Sequence, residues 1–319
     1  MQAQAWRWGG RLLATVLLAA VFYQIGGWLP RGADAPYMAR LVEDNAWPLY
    51  YRSLLTLWIH RMVYLAASPF GFNGWQAISL SSALAGAAAV QVLWAMRPRA
   101  GFLLINVLSG SFLVMMGHVE NYAWVNCFLL TSFYWVERWL GDEATLWPVM
   151  MAWMLAAFSH LLALFYLPAY LFAWARYKRD GTTPLLTALL GLAAGLILVT
   201  LTGKVGGTEL GMERLVPLWS TWSPNHYFTL FSPEHWAMLY YFHQRAAFLG
   251  IPVELPFLFL VLRSRIQQPY DQFLLAAAIC GLAWTTVWHP DWGPMDWDLF
   301  SQFGIPLHVL IGVLLCRKN

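Results

Sequence analysis

The sequence predicts an all-α polytopic membrane protein, a bundle of about ten transmembrane helices. Of the 319 residues, 60% are hydrophobic and only 11% are charged, whereas soluble domains carry roughly 25% charged residues. The chain contains 20 tryptophans, a residue enriched at membrane–water interfaces. Its apolar runs are too long for barrel strands, and open sheet edges cannot face lipid. The net charge of +3 is too small to indicate nucleic acid as a partner.

The predicted spans follow from the length that a helix needs to cross a bilayer, about 20 apolar residues. The candidates are 11–30, 75–96, 101–117, 121–139, 146–160, 161–176, 184–203, 246–263, 271–288 and 299–316. The first run follows two arginines, as in a signal peptide, but Leu12–Leu29 is long enough to span. We therefore expect a retained helix. The three cysteines lie in apolar stretches at unrelated spacings, which favours neither a disulfide framework nor a thiolate metal site.

Charge separates between the two sides when the N-terminus is placed inside. The basic residues that then fall on the inner side are Arg7, Arg11, Arg97, Arg99, Arg138, Arg176, Lys178, Arg179, Arg263, Arg265, Arg317 and Lys318. The acids that fall on the outer side are Asp34, Glu43, Asp44, Glu120, Glu209, Glu213, Glu234, Asp291, Asp296 and Asp298. This partition obeys the positive-inside rule. It predicts cytoplasmic termini and an extracytoplasmic active face, and the lack of Asn-x-Ser/Thr acceptors favours a bacterial inner membrane.

Two outer segments, 31–74 and 204–245, are long and rich in aromatic residues. Long loops in compact proteins are usually functional or disordered, and the aromatic content argues against disorder. Within 48–67 and 236–248, apolar residues recur at helical spacing beside basic residues and histidines. We expect interfacial amphipathic helices there. Such helices either flank a lateral opening for a lipid substrate or simply pack as a belt on the bundle.

Polar residues cluster at the outer face in four places. The candidate site residues among them are Asp34, Glu43, Asp44, His118, Glu120, Arg214, His289, Asp296 and Asp298. Charged groups so near the hydrocarbon are costly unless they are paired or face a wet cavity. His118 and Glu120 are alternatively a structural pair. The last cluster, formed by His289, Asp291, Asp296 and Asp298, offers oxygen and imidazole ligands for an optional divalent cation. Alternatively, its carboxylates form ion pairs or contact substrate, and Asp298 caps the final helix.

Several of these features resemble the GT-C class of membrane glycosyltransferases. The resemblance rests on Asp34 directly after the first helix and on the helix around Arg52–Arg61 in a long first outer loop. Further short stretches that carry it are 32–34, 79–87, 117–122 and 296–300. The resemblance covers roughly residues 1–180. The rest of the chain, 181–319, contains the C-terminal helices and the second outer loop. We expect the two parts to form a single transmembrane domain, 1–319. The first loop departs from the class because it has no Asp-x-Asp.

The resemblance implies transfer of a sugar from a polyprenyl-phosphate donor to a lipid-linked or other small acceptor. The phosphate is already a competent leaving group, so the protein must deprotonate the acceptor and stabilise the departing phosphate. We expect Asp34 to be the general base and Glu120 to orient the acceptor. The candidate phosphate contacts are Arg52, Arg61 and Arg214. Asp296 and Asp298 would then bind sugar hydroxyls or an ion.

Other functional classes remain open from the sequence. A transporter or flippase for a lipid-linked or polar substrate is the main alternative, although transporters usually place charges near the bilayer midplane and often show internal repeats. A different extracytoplasmic lipid enzyme and a non-catalytic subunit are further alternatives. An Asp34→Asn variant would separate enzymes from the rest, because an enzyme should lose turnover without losing its fold.

Overall fold

The computed structural model describes residues 2–29, 34–47, 51–178, 215–219, 228–247, 266–290 and 296–317, with short pieces at 191, 195, 250, 254–256, 258–259 and 262–263. Within these residues the fold is all-α, with a single isolated antiparallel bridge between Leu215 and Trp288. The predicted span 184–203 and much of 246–263 lie outside the described residues, as does Arg214.

The described α-helices are numbered here in chain order. They are α1 Gln2–Gly26, α2 Ala35–Glu43, α3 Leu54–Ala67, α4 Gly74–Met96, α5 Ala100–Val107, α6 Gly110–Leu113, α7 Tyr122–Leu140, α8 Leu146–Ser159, α9 Leu167–Tyr177, α10 Pro233–Ala246, α11 Pro269–Val287, α12 Trp297–Phe300 and α13 Gly304–Cys316. Short 3-10 turns precede α3, α9 and α13. Helix α7 packs between α4 and α8, while α11 packs against α9 and α13.

Four described segments are long and apolar enough to cross a membrane. They are Gly9–Gly26, Gly74–Met96, Pro269–Val287 and Trp297–Cys316. Two shorter apolar helices, Leu146–Ser159 and Leu161–Tyr177, lie where the sequence predicted two short spans. By length and composition, these helices support an integral membrane protein with an all-α fold, and the number of about ten spans stays a prediction.

The predicted span 101–117 is wrong as a single helix. Helix α5 ends at Val107, α6 has only four residues, and the chain then runs to Asn121 without regular structure. The Ser109 hydroxyl ends α5 by donating to the Asn106 carbonyl at 2.7 Å, and it accepts from the Phe112 amide at 3.2 Å. Gly117 has a φ of +80°, which other residues rarely adopt. Irregular backbone is tolerated at membrane depth where protein buries it, and most of this segment is buried.

Small residues let α1 and α4 approach this irregular segment closely. A β-carbon at Gly26 would lie 2.4 Å from the Gly117 carbonyl oxygen. One at Gly86 would lie 2.2 Å from the Met115 carbonyl oxygen. The small residues of α4 at 79–87 therefore let its backbone pack directly against the backbone of the irregular segment.

Both predicted amphipathic helices are present, as α3 and α10. Helix α3 begins six residues later than the predicted segment and turns Trp58, Met62 and Leu65 outward, while Thr56 and His60 are buried. Helix α10 likewise exposes Trp236 and Tyr240 and buries His235 and Phe242, among others. An outward apolar stripe suits a helix at the membrane interface, and that location stays a prediction.

The two ends of the bundle differ in charge. Helix α7 starts beside Glu120 and ends in a region of ion pairs. Those pairs are Arg97–Glu137, Arg138–Glu143, Lys178–Asp142 and Arg317–Asp271. The opposite end, near the start of α7, holds Asp34, Glu120 and Asp298. The fold thus keeps apart the two sets of charges that the sequence assigned to two sides.

Candidate active site

Glu120 is close enough to three other acids for their charges to act on it. Its side chain is buried, and burial together with the charges of Asp298, Asp34 and Asp296 raises its pKa well above the usual value. A hydrogen bond from the Asn121 amide acts in the opposite sense. Three distant parts of the chain supply these carboxylates: the segment after α1, the irregular segment before α7, and the approach to α13. The predicted convergence of Asp34, Glu120, Asp296 and Asp298 is therefore present in the fold.

His118 forms a buried pair with Asp298. Nε2 of His118 lies 2.9 Å from Oδ2 of Asp298, while Oδ1 accepts a 2.8 Å hydrogen bond from the Leu299 amide. Asp298 thus pairs with another side chain, but it does not cap the final helix, α13, which begins after Phe303 without a side-chain cap. The suggested His118–Glu120 pair is not formed in this way, because the imidazole faces Asp298.

Asp34 and Asp296 precede helices without capping them. Asp34 is the N-terminal flanking residue of α2, and Asp296 is that of α12. Neither side chain makes a capping bond to its own helix. Asp296 is buried, whereas Asp34 is half-buried. Their carboxylates thus lie at the site without being bound by the helix ends that they precede.

Glu43 and Arg61 hold α2 against its neighbours. The Glu43 carboxylate accepts a 2.6 Å hydrogen bond from the Gly74 amide at the start of α4. Nη1 of Arg61, on α3, donates to the carbonyls of Val42 and Glu43 at 2.6 and 3.0 Å. These bonds tie α2 to α3 and α4 and so fix the helix that Asp34 begins. Substrate contact by either side chain stays a prediction.

The remaining predicted residues lie around this cluster. Asp44 is exposed at the C-terminal end of α2. Arg52 is half-buried before α3, close enough to His160 for its charge to act on the imidazole. His289 is buried, with its ring stacked on Phe228 at 4.8 Å between centroids. Their roles in binding substrate stay predictions.

The site offers no complete set of metal ligands in the part of the chain that the structure describes. There, no three His, Cys, Asp or Glu side chains are placed so that they could hold an ion together. Asp291, one of the ligands suggested from the sequence, lies outside the described residues.

Two solved structures match this chain over nearly its whole length. ArnT from Cupriavidus metallidurans in the apo state is 15% identical, with a TM-score of 0.60 over 100% of this chain and 61% of that one. The same protein bound to undecaprenyl phosphate is 15% identical, with a TM-score of 0.61 over 97% of this chain. The fold resembles that of ArnT. This chain spans about three-fifths of the ArnT chain, and no protein family and no curated protein matches the sequence.

Sequence reasoning missed the contacts of two buried histidines. His60 on α3 lies with Nε2 3.4 Å from the Glu120 carbonyl oxygen, and burial lowers its pKa to about 4. His308 on α13 pairs with Glu254, with 3.0 Å between Nε2 and Oε1. The signal for the second pair was present, because Glu254 and His308 each interrupt an apolar run. Its partner was not readable, since the two residues are 54 positions apart.

Proposed function

We propose that this protein is an extracytoplasmic glycosyltransferase that moves a sugar from a polyprenyl-phosphate donor to a lipid-linked or other small acceptor. The main support for this proposal is that four acids lie near one another at one end of the bundle: Asp34, Glu120, Asp296 and Asp298. Support comes from the fold's likeness to ArnT, a polyprenyl-phosphate glycosyltransferase of the GT-C class. One ArnT structure contains undecaprenyl phosphate.

In this proposal two neighbouring carboxylates divide the acid–base work. Transfer forms a bond from the acceptor to the sugar's anomeric carbon and breaks the bond from that carbon to the phosphate oxygen. Asp34, half-buried and not engaged in capping α2, takes the acceptor's proton. Glu120 keeps its own proton because its pKa is raised, so it donates a hydrogen bond that orients the acceptor.

The other side chains position the donor. Asp298, held by His118 and the Leu299 amide, accepts a hydrogen bond from a sugar hydroxyl together with Asp296. Arg52 and Arg214 stabilise the phosphate as it leaves, a task suited to guanidinium groups. The end rich in ion pairs faces the cytoplasm by the positive-inside rule. The acidic end then faces outward in a bacterial inner membrane.

The test uses purified protein in nanodiscs with a panel of polyprenyl-phosphate sugars. Mass spectrometry follows release or transfer of the sugar, with Asp34→Asn run beside the parent. We expect turnover in the parent and a loss of at least a hundredfold in a folded variant. Equal turnover in the parent and in Asp34→Asn would show that another acid is the general base. No binding and no turnover with any donor would overturn the proposal.

One observation favours transport as a second candidate function. The Glu254–His308 pair is buried, and His308 lies in the middle of the apolar segment Trp297–Cys316. Buried ionisable pairs at such depth are typical of transport pathways. A Glu254→Gln variant distinguishes the two candidates: a transporter would lose movement of its substrate across the membrane, whereas a transferase would keep its outer-face chemistry.

A further inference from the structure

A polar seam lies between α3, the start of α7 and the end of α8. We define it by Ser53, His60, Asn121 and Ser159, all of them buried. The Thr56 hydroxyl donates to the Ser159 carbonyl at 2.9 Å, which joins α3 to α8. The ring of His60, one turn further along α3, lies 3.4 Å from the Glu120 carbonyl oxygen, which joins α3 to the segment before α7. The seam therefore runs directly beside the acid cluster.

Each member of the polar seam has a buried polar atom without a hydrogen-bond partner among the described residues. These atoms are Oγ of Ser53, Nδ1 of His60, both side-chain amide atoms of Asn121 and Oγ of Ser159. Native proteins satisfy roughly 90% or more of their buried polar groups, and leaving one unpaired is unfavourable. Several such atoms in one seam beside a candidate active site indicate that something polar occupies it.

The hydrogen-bonding groups of the polar seam indicate what kind of molecule it binds. Hydroxyls, an amide and an imidazole offer donors and acceptors without a formal charge, and burial keeps His60 neutral because its pKa is about 4. The phosphate is assigned to cations such as Arg52, which directly precedes Ser53, whereas the neutral groups of the seam itself match sugar hydroxyls or an acetamido group. Asn121 directly follows Glu120 in the chain, so a ring held in the seam would lie beside the acids.

We propose that the polar seam is the subsite that binds the sugar ring of the donor and sets which sugar is accepted. This proposal rests on the proposed glycosyltransferase function and deepens it. A site built to bond substrate hydroxyls discriminates strongly against analogues that lack them, so these four residues would be the specificity determinants.

The experiment compares Asn121→Ala with Asn126→Ala in nanodiscs. Asn126 is a matched control because it lies in α7, the helix that Asn121 directly precedes, is also buried and also lacks an amide partner among the described residues. Five residues further along a helix, its side chain points about 140° away. The measurements are the Kd of undecaprenyl phosphate alone, kcat/KM for each sugar donor that the parent turns over, and the Tm of the ligand-free protein.

We expect Asn121→Ala to lose about tenfold or more in kcat/KM for the preferred donor. Its Kd for undecaprenyl phosphate should be unchanged, and its Tm should be no lower than the parent's because the amide has no hydrogen-bond partner to lose among the described residues. Asn126→Ala should keep the parent's ranking of donors. Equal kcat/KM in Asn121→Ala and the parent, or an equal loss in both variants, would overturn the subsite.

Failure of the proposed function gives a different result. In that case the parent protein turns over no donor, and it binds sugar donors no more tightly than undecaprenyl phosphate. That result would overturn the proposed function and the subsite together. If Asn121→Ala fails to fold, Ser159→Ala removes a single unpaired hydroxyl from the other side of the seam. It should show the same selective loss, and an unchanged donor ranking there would overturn the subsite as well.

Discussion

At the scale of single residues, the acid cluster is stable because its members do not all carry charge. Glu120 is buried beside three like charges, and its raised pKa keeps it protonated above the range where a solvated glutamate ionises. A protonated carboxyl both relieves repulsion with Asp34, Asp296 and Asp298 and supplies a donor. Because Glu120 is neutral, the other three carboxylates can lie close to it without charge repulsion from its side chain.

Glu120→Gln tests this state through pH. In the parent, the unfolded chain ionises this carboxyl near its ordinary pKa of 4.5, and the folded protein ionises it only at higher pH. The folded state therefore binds more protons in that window, and stability falls as pH rises through it. We expect the variant to lose this decline and to be more stable at neutral pH, measured by thermal unfolding across pH 4.5 to 8. A parallel decline in both proteins would assign the effect to another group.

The positions of the acids were predictable, but their partners were not. Asp34, Glu120 and Asp298 each lie at the end of an apolar run, and alternating spans bring such ends to one face. The pairing of His118 with Asp298 joins residues 180 positions apart, and it depends on which helices are neighbours. The unpaired atoms of the polar seam were invisible for the same reason, since hydropathy gives no information on what each buried hydroxyl or amide contacts.

At the scale of elements, the irregular segment before α7 was the main error of the sequence prediction. Its apolar composition resembles that of a span, but the Ser109 hydroxyl replaces helical hydrogen bonds and Gly117 adopts a positive φ. These local features outweigh average hydropathy. The consequence is functional, because this segment leads directly into His118 and Glu120 and places them beside Asp298 and the other acids.

Gly117→Ala tests how strictly this segment is held. A β-carbon there would lie 2.8 Å from the Phe22 carbonyl oxygen, in a backbone conformation with φ of +80°. We expect a loss of about 2–4 kcal/mol in the free energy of unfolding, with a matching loss of activity as His118 and Glu120 shift. Gly101→Ala is the control, because nothing lies within 4 Å of the added carbon. Similar behaviour of the two variants would contradict the close packing.

An Arg61→Ala variant tests whether Arg61 positions Asp34 by holding α2 or contacts the donor phosphate itself. If Arg61 only holds α2, Arg61→Ala should let Asp34 drift and lower kcat by about tenfold or more, with little change in KM for the donor. If Arg61 contacts the phosphate, KM should rise instead. Arg40, exposed on α2 itself, provides the control variant Arg40→Ala. Steady-state kinetics on the three proteins separate the two roles.

At the scale of the whole molecule, the proposed chemistry depends on which end of the bundle faces out. Asp44 is exposed near the acidic end, and Glu143 is exposed among the ion pairs at the other end. We place single cysteines at these two positions in a variant whose native cysteines, Cys127, Cys280 and Cys316, are replaced.

An impermeant maleimide added to intact bacterial cells or spheroplasts then reports the orientation. Because the positive-inside rule places the basic end in the cytoplasm, Asp44→Cys should be labelled from outside. Glu143→Cys should be labelled only after the membrane is permeabilised. The reverse pattern would put the acids on the cytoplasmic side, where a donor presented at the outer face cannot reach Asp34, and the proposed extracytoplasmic transfer would have to be abandoned even though the acids meet as described.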